Sequence, residues 1–201
     1  LMNGGRGQHR IEGIGDKMCT LIHNVLNTDF IALIKDEESV QGLKLIHDGT
    51  DVLVEYGIKK EVALQMKELF GVSGICNILG AIKIAKFLKL GPEDNVVTIA
   101  TDGYDRYETV LTDLNKRYLE TEDFVLRRWF RDVFLRANTC DIADYRPWAQ
   151  KEKLFEQKEK DWLKFGYSKE YLDSMKNPDF WDNEYEKIHH YDELIKKLRE
   201  E

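Results

Sequence analysis

Residues 70–107 read FGVSGICNILGAIKIAKFLKLGPEDNVVTIATDGYDRY, and the fold class turns on them. The first part has the pattern of a helix. Ile75, Ile78, Leu79, Ile82, Ile84 and Phe87 recur at spacings suited to deep burial. Gly74 and Gly80 allow close packing, Ser73 is placed to cap the start, and Leu-Gly-Pro at 90–92 stops it. The second part, NVVTIATDG (95–103), is rich in β-branched residues and ends in a glycine turn, which predicts a central strand. A long buried helix leading into a buried strand is an α/β pattern.

Upstream, DFIALIKD (29–36) is a compact apolar run bounded by aspartates. It reads as a strand covered on both faces, as in a parallel sheet. DEESVQGLKLIHD (36–48) begins with acidic residues that suit a helix N-terminus and puts Val40, Leu43 and Ile46 on one face. KKEVALQMKELFG (59–71) predicts another amphipathic helix, with Gly71 as its C-cap. After Tyr107 the character changes, and 107–120, 121–138 and 141–166 all read as helices. Trp129, Phe130, Val133 and Phe134 form an apolar stripe, and the charged run 151–160 reads as a solvated face. Pro178 is expected to break any helix in SMKNPDFWDNEYEKIHHY (174–191), leaving a short amphipathic helix over 191–201. This divides the chain into an α/β domain, 1–107, and a helical extension, 108–201.

Composition narrows the function. A net charge of −7 over 201 residues argues against a nucleic-acid binder, whose first need is a cationic face. No apolar run approaches membrane-spanning length, and the first residues carry no secretory h-region. Cys19, Cys76 and Cys140 lack zinc or CxxC spacing and suit reduced thiols in a cytoplasmic protein. The opening LMNGGRG reads either as the end of a strand cut from something upstream or as a start at Met2.

Three stretches are candidates for chemistry. HRIEGIGDK (9–17) sets Gly13 and Gly15 about one isoleucine; it is either a plain turn or a place where backbone approaches a flat ligand. Thr101, Asp102 and Gly103 fall just past a predicted strand, where open α/β sheets bind ligands; an Asx turn is the competing reading. Ser73 at a helix N-terminus is either a cap or part of an anion site. Adjacent His189 and His190 have no third ligand at metal spacing, so no metal site is assigned.

Taken in order, HRIEGIGDK (9–17), HNVLNTDFIALIKDEE (23–38), FGVSGICNILGAIKIAKFLKL (70–90) and VVTIATDGYDRY (96–107) resemble the C-terminal half of fold-type II pyridoxal-phosphate enzymes. Within that group the likeness is to the cysteine-synthase-like, or tryptophan synthase β, family, and it spans roughly residues 3–107. The tail, with WLKFGYSKEYLDSMKNPDFWDNEY (162–185), resembles the helical extension of one cysteine-synthase-like subgroup.

The resemblance implies part of a three-layer sheet domain followed by that extension. It places Gly13, Ile14 and Gly15 beside pyridoxal 5'-phosphate, with His9, Glu12, Asp16 and Lys17 at the substrate entrance. Thr101, Asp102 and Gly103 would meet the pyridine ring. The subgroup reads Thr-Asp-Ser where this chain has Thr-Asp-Gly, so the hydroxyl at position 103 is missing. The family's Schiff-base lysine and phosphate loop lie in its N-terminal half and have no counterpart here, so no catalytic residue is assigned to this chain.

Two functions follow as expectations. The first is a piece of a lyase or synthase acting at the β-carbon of an amino-acid substrate, sharing its cofactor with an N-terminal half. The second is a non-catalytic structural subunit that keeps the fold. Both imply an oligomer, of like or unlike chains.

Overall fold

A computed structural model of the chain describes residues 11, 18–103, 108–118 and 122–200. It separates into two compact units. Among the described residues, one comprises 18–31 and 144–200, the other residue 11 with 32–103, 108–118 and 122–143. The expected boundary at 107/108 falls beside residues 104–107, outside the described residues.

The unit formed by 32–143 is helical. Its elements are α1 (Asp36–Asp48), α2 (Thr50–Glu55), α3 (Lys60–Leu69), α4 (Val72–Leu88), α5 (Glu108–Arg117) and α6 (Asp123–Trp129). A π-helical turn over Phe130–Leu135 continues α6, closed by the Arg136 N–H donating to the Arg131 carbonyl at 2.8 Å. α1 starts where the sequence predicts, with Asp36, Glu37 and Glu38 in the first turn. Leu43, Leu45, Ile75 and Leu79 are fully buried and form the centre of the core with Val40, Ile46, Val72 and Trp129. Gly42 sets how near α1 comes to its neighbours: a Cβ there would lie 2.7 Å from Ile75 Cγ2 and 3.1 Å from Phe134 Cζ.

α4 confirms a long helix but not its details. Gly71, not Ser73, is the N-cap, and Ser73 is buried inside the first turn. Gly71 therefore opens α4 instead of closing α3, whose C-cap is Phe70. Burial is one-sided: Ile75 and Leu79 are enclosed, Ile78, Ile82 and Ile84 are half-buried, and Phe87 is exposed. The helix ends as predicted just before Leu-Gly-Pro, with Lys89 left-handed at φ 55° and the Leu90 N–H donating to the Ala85 carbonyl at 2.9 Å. The Trp129 stripe packs as expected. Tyr118 meets the Trp129 ring edge-on at 4.9 Å, and Tyr56 stacks on Phe130 at 4.2 Å.

Both helix and strand are present, but strand is scarce. Two short segments, β1 (Phe30–Ala32) and β2 (Ile142–Asp144), make a two-stranded sheet. The Leu33 N–H donates to Asp141 O at 2.9 Å and the Tyr145 N–H to Asp29 O at 2.7 Å. Residue numbers that rise on one strand fall on the other, so the pair is antiparallel. The expected parallel, doubly covered strand at 29–36 is instead a half-exposed ribbon, because one neighbour leaves the second edge and the faces open.

The expected strand over 95–103 is not formed. Its backbone is held by single bonds instead: the Asn77 side-chain amide donates to Ile99 O at 3.0 Å and the Gly71 N–H to Asp102 O at 2.7 Å. A central strand needs a neighbour on each edge, and none of the described residues supplies one. Val97 and Ile99 stand 89% and 70% exposed.

The other unit holds a 3₁₀ turn (Val25–Asn27), α7 (Trp148–Trp162), a second 3₁₀ turn (Leu163–Phe165), α8 (Lys169–Ser174) and α9 (Pro178–Glu200). Leu154, Phe155, Leu172, Met175 and Trp181 are buried. The charged run 151–160 is not simply solvated. Lys151, Leu154, Phe155 and Lys158 share one buried face of α7, where the lysine stems pack and the amines find carbonyls: Lys151 that of Leu26, Lys158 that of His23 at 2.6 Å. Pro178 does not break a helix but begins one. The Asn177 side chain accepts the Asp179 N–H at 3.0 Å, and proline at the first helical position loses no bond. Residues 178–200 are then one continuous helix. No described helix is long and apolar enough to cross a membrane.

Candidate functional site

Of the residues singled out in the sequence, His9, Glu12, Gly13, Ile14, Gly15, Asp16 and Lys17 lie outside the described residues. Thr101, Asp102 and Gly103 are described. They form a loop at the start of α4, fixed by the bond from Gly71 N–H to Asp102 O. Thr101 is exposed, and Asp102 and Gly103 are half-buried. The loop follows the β-branched segment, but no strand is formed there among the described residues, so the expected place at the end of a sheet strand is not met; the segment is instead bonded to α4 through Asn77. Gly103 brings no side chain, so the polar side chains of the loop are those of Thr101 and Asp102.

The segment before this loop lines a groove of about 350 Å³, which 101–103 do not reach. β1 and its continuation contribute Ala32 and Ile34, α4 contributes Cys76, Asn77 and Gly80, and the open segment contributes Val96 to Thr98. A Cβ on Gly80 would meet nothing within 4 Å, so the groove is roomy there. Its chemistry is sparse. The Asn77 amide is committed to Ile99, and burial raises the Cys76 thiol pKa, which keeps it protonated and a poor nucleophile. No lysine lines it.

A second polar cluster, not foreseen from the sequence, lies in the unit that contains α7. Cys19 Sγ is 3.1 Å from His23 Nδ1, and His23 Nε2 is 2.7 Å from Thr28 Oγ1. The Thr28 hydroxyl donates to Asn24 O at 3.4 Å. That direction requires His23 Nε2–H to donate to Thr28 and leaves Nδ1 to accept the Cys19 S–H. The order thiol, imidazole, hydroxyl has the outline of an activated nucleophile.

The electrostatics make the cluster inert. Burial raises the Cys19 pKa despite the opposing charge of Lys158, while burial and then Lys158 lower that of His23. The pair is a neutral thiol and a neutral imidazole, and Cys19 is only 2% exposed. Trp162 Nε1 donates to Cys19 O at 2.7 Å and Lys158 to His23 O, so the cluster fixes loop 19–28 on α7. The i, i+4 spacing of Cys19 and His23 was the only signal for it in the sequence.

Among the described residues, two lysines are fully buried. Lys83 donates to Leu33 O at 2.9 Å and pairs with Glu38 at 3.2 Å. Lys158 sits 5.4 Å from the Trp181 ring centre, and burial lowers its pKa. A depressed amine pKa is what imine chemistry asks of a lysine. At 1% exposure, however, neither amine is open to an aldehyde. No three His, Cys, Asp or Glu side chains among the described residues gather as a metal site.

The described residues alone therefore do not fit a pyridine cofactor. The candidate loop lacks the expected hydroxyl, and the groove lined by the segment before it has no amine. No protein-family model matches the chain, and no match was found among curated proteins or solved structures.

Proposed function

We propose that this chain is the C-terminal portion of a pyridoxal-phosphate-dependent, cysteine-synthase-like lyase or synthase. It acts with an N-terminal portion that carries the Schiff-base lysine and phosphate loop. The fold is then part of the fold-type II three-layer sheet domain, with 108–201 as its extension. The reaction is elimination or replacement at the β-carbon of an amino acid.

One observation carries this reading. Val96, Val97 and Ile99 have the chemistry of a buried sheet strand, yet among the described residues they lie open and unpaired along α4. Exposed apolar strand-forming segments mark places where another strand adds. A strand from the N-terminal portion would cover them and bring its own polar groups to Thr101 and Asp102. This chain's share is then to shape the pocket wall with Gly13, Ile14 and Gly15, offer His9, Glu12, Asp16 and Lys17 at the entrance, and present the 101–103 loop to the shared cofactor.

A second reading, the non-catalytic subunit, draws on Gly103 and on the two buried, committed lysines. Native mass spectrometry of the assembly isolated from its source cells separates the two. A partner chain together with a pyridoxal-phosphate mass, lost or weakened in Asp102→Ala, is expected. A partner without cofactor favours the second reading, and copies of this chain alone refute the first.

A further inference from the structure

The carboxy-terminal helix carries a contact surface that the reading above does not use. After Trp181, residues 182–200 of α9 are exposed without exception. A solitary helix of that length is marginal in water unless it packs on something. Besides Tyr185 and Leu194, its exposed large apolar residues fall on one stripe. Ile188, Tyr191, Ile195 and Leu198 follow one another at steps of three, four and three, the a and d positions of a heptad, and are 51%, 55%, 46% and 72% exposed.

Charge chooses the occupant. In a parallel pair in register, a residue flanking the seam at g faces the e residue of the next heptad on the other helix. Those positions are Lys187 and Asp192. A second copy therefore offers Asp192 to Lys187 and Lys187 to Asp192, two opposite-charge pairs related by the twofold axis. In the single chain Lys187 pairs with the exposed Glu184, one turn back. The next such pair, Leu194 and Arg199, carries no repulsion.

We infer that α9 is a self-association helix, joining two copies of this chain in a parallel coiled coil through Ile188, Tyr191, Ile195 and Leu198. Two heptads are fewer than the three to four that sustain a coiled coil alone, so the dimer is weak and concentration-dependent. It uses no residue of the open segment 96–99, which the reading above assigns to an unlike chain. It needs no cofactor, so it stands or falls separately from the proposed activity.

Sedimentation equilibrium of the full chain from about 1 to about 500 µM tests it. The expected average mass climbs from 23.6 kDa toward twice that value. Ile188→Asp and Ile195→Asp, both at exposed positions, should each raise the midpoint concentration at least tenfold, with circular dichroism unchanged when variant and parent are compared at concentrations where both are monomers. Lys187→Glu should weaken association, and adding Asp192→Lys in the same chain should restore it. In a Cys140→Ser background, Tyr191→Cys should cross-link copies under mild oxidation, because like d positions meet only in a parallel pair. A monomer at every concentration overturns the inference, as does association indifferent to Ile188→Asp, failure of the charge swap to restore, or a dimer that Tyr191→Cys does not cross-link.

Discussion

Replacing glycine with alanine inside a helix ordinarily stabilises it by about 1 kcal/mol, because alanine has less backbone freedom to lose. Two helical glycines of the unit formed by 32–143 should respond with opposite signs. At Gly80, on α4, a new Cβ meets nothing within 4 Å, so Gly80→Ala should stabilise by about 0.5–1 kcal/mol. At Gly42, on α1, the same methyl would stand 2.7 Å from Ile75 Cγ2 and 3.1 Å from Phe134 Cζ. Ile75 is fully buried and cannot swing aside, so α1 and α4 must part or Ile75 must leave its rotamer. Overpacking of this kind costs about 1–3 kcal/mol, which outweighs the propensity gain. Gly42→Ala should come out destabilised by about 1 kcal/mol, and the two variants should differ by about 2 kcal/mol. With a urea slope of about 2 kcal/mol/M, their unfolding midpoints should lie about 1 M apart. Urea titration followed by far-ultraviolet circular dichroism measures this directly. If Gly42→Ala is as stable as Gly80→Ala, the close approach of α1 to α4 is not real.

Acid should loosen the unit that holds His23. Burial, then Lys158, lowers its pKa from the ordinary 6.5, so below that pH the unfolded chain takes up a proton that the folded one refuses. Stability then falls as pH drops from 6.5 to the depressed folded value; urea midpoints across that window should slope less in His23→Gln, and equal slopes would remove the argument. Thiol labelling of the native protein should find Cys140 quickly and Cys19 and Cys76 slowly, since only Cys140 is exposed and burial raises the other two. Equal rates for Cys19 and Cys140 would contradict the closed cluster. Lys83→Met should destabilise by about 1–3 kcal/mol, because it leaves Leu33 O and Glu38 without their buried donor. A neutral outcome in the same urea assay would mean that water replaces the amine.

Local signals were legible in the sequence. The acidic start of α1, the Leu-Gly-Pro stop of α4 and the Trp129 stripe each follow from a short-range rule, and the structure keeps them. What failed depends on something outside the segment. VVTIAT encodes a strand by composition, but a strand exists only as a partner to others, and the described residues offer none. The run 151–160 looked solvated because lysine was counted as a charge. On α7 it acts as an aliphatic stem with a donor at its tip, and the helical period then unites Lys151, Leu154, Phe155 and Lys158. Pro178 reads as a breaker in isolation, but with Asn177 before it as a cap it begins a helix. Of the candidate site, the strand expected to lead into the 101–103 loop is not formed among the described residues, and the Cys19–His23–Thr28 chain emerges only when loop 19–28 settles on α7.

The buried amine of Lys158 has a consequence for covalent marking. Lysine acylation requires the amine to meet its donor, and in the folded unit Lys158 is shut beneath Trp181 and bonded to the His23 carbonyl. An acyl group can arrive only while α7 stands away from loop 19–28. Once attached, it adds bulk where the side chain is already enclosed and takes away the ammonium that fits there. Return to the closed state is then obstructed. A mark at Lys158 would therefore do more than record a past opening: it would hold the unit open, turning a brief fluctuation into a lasting history.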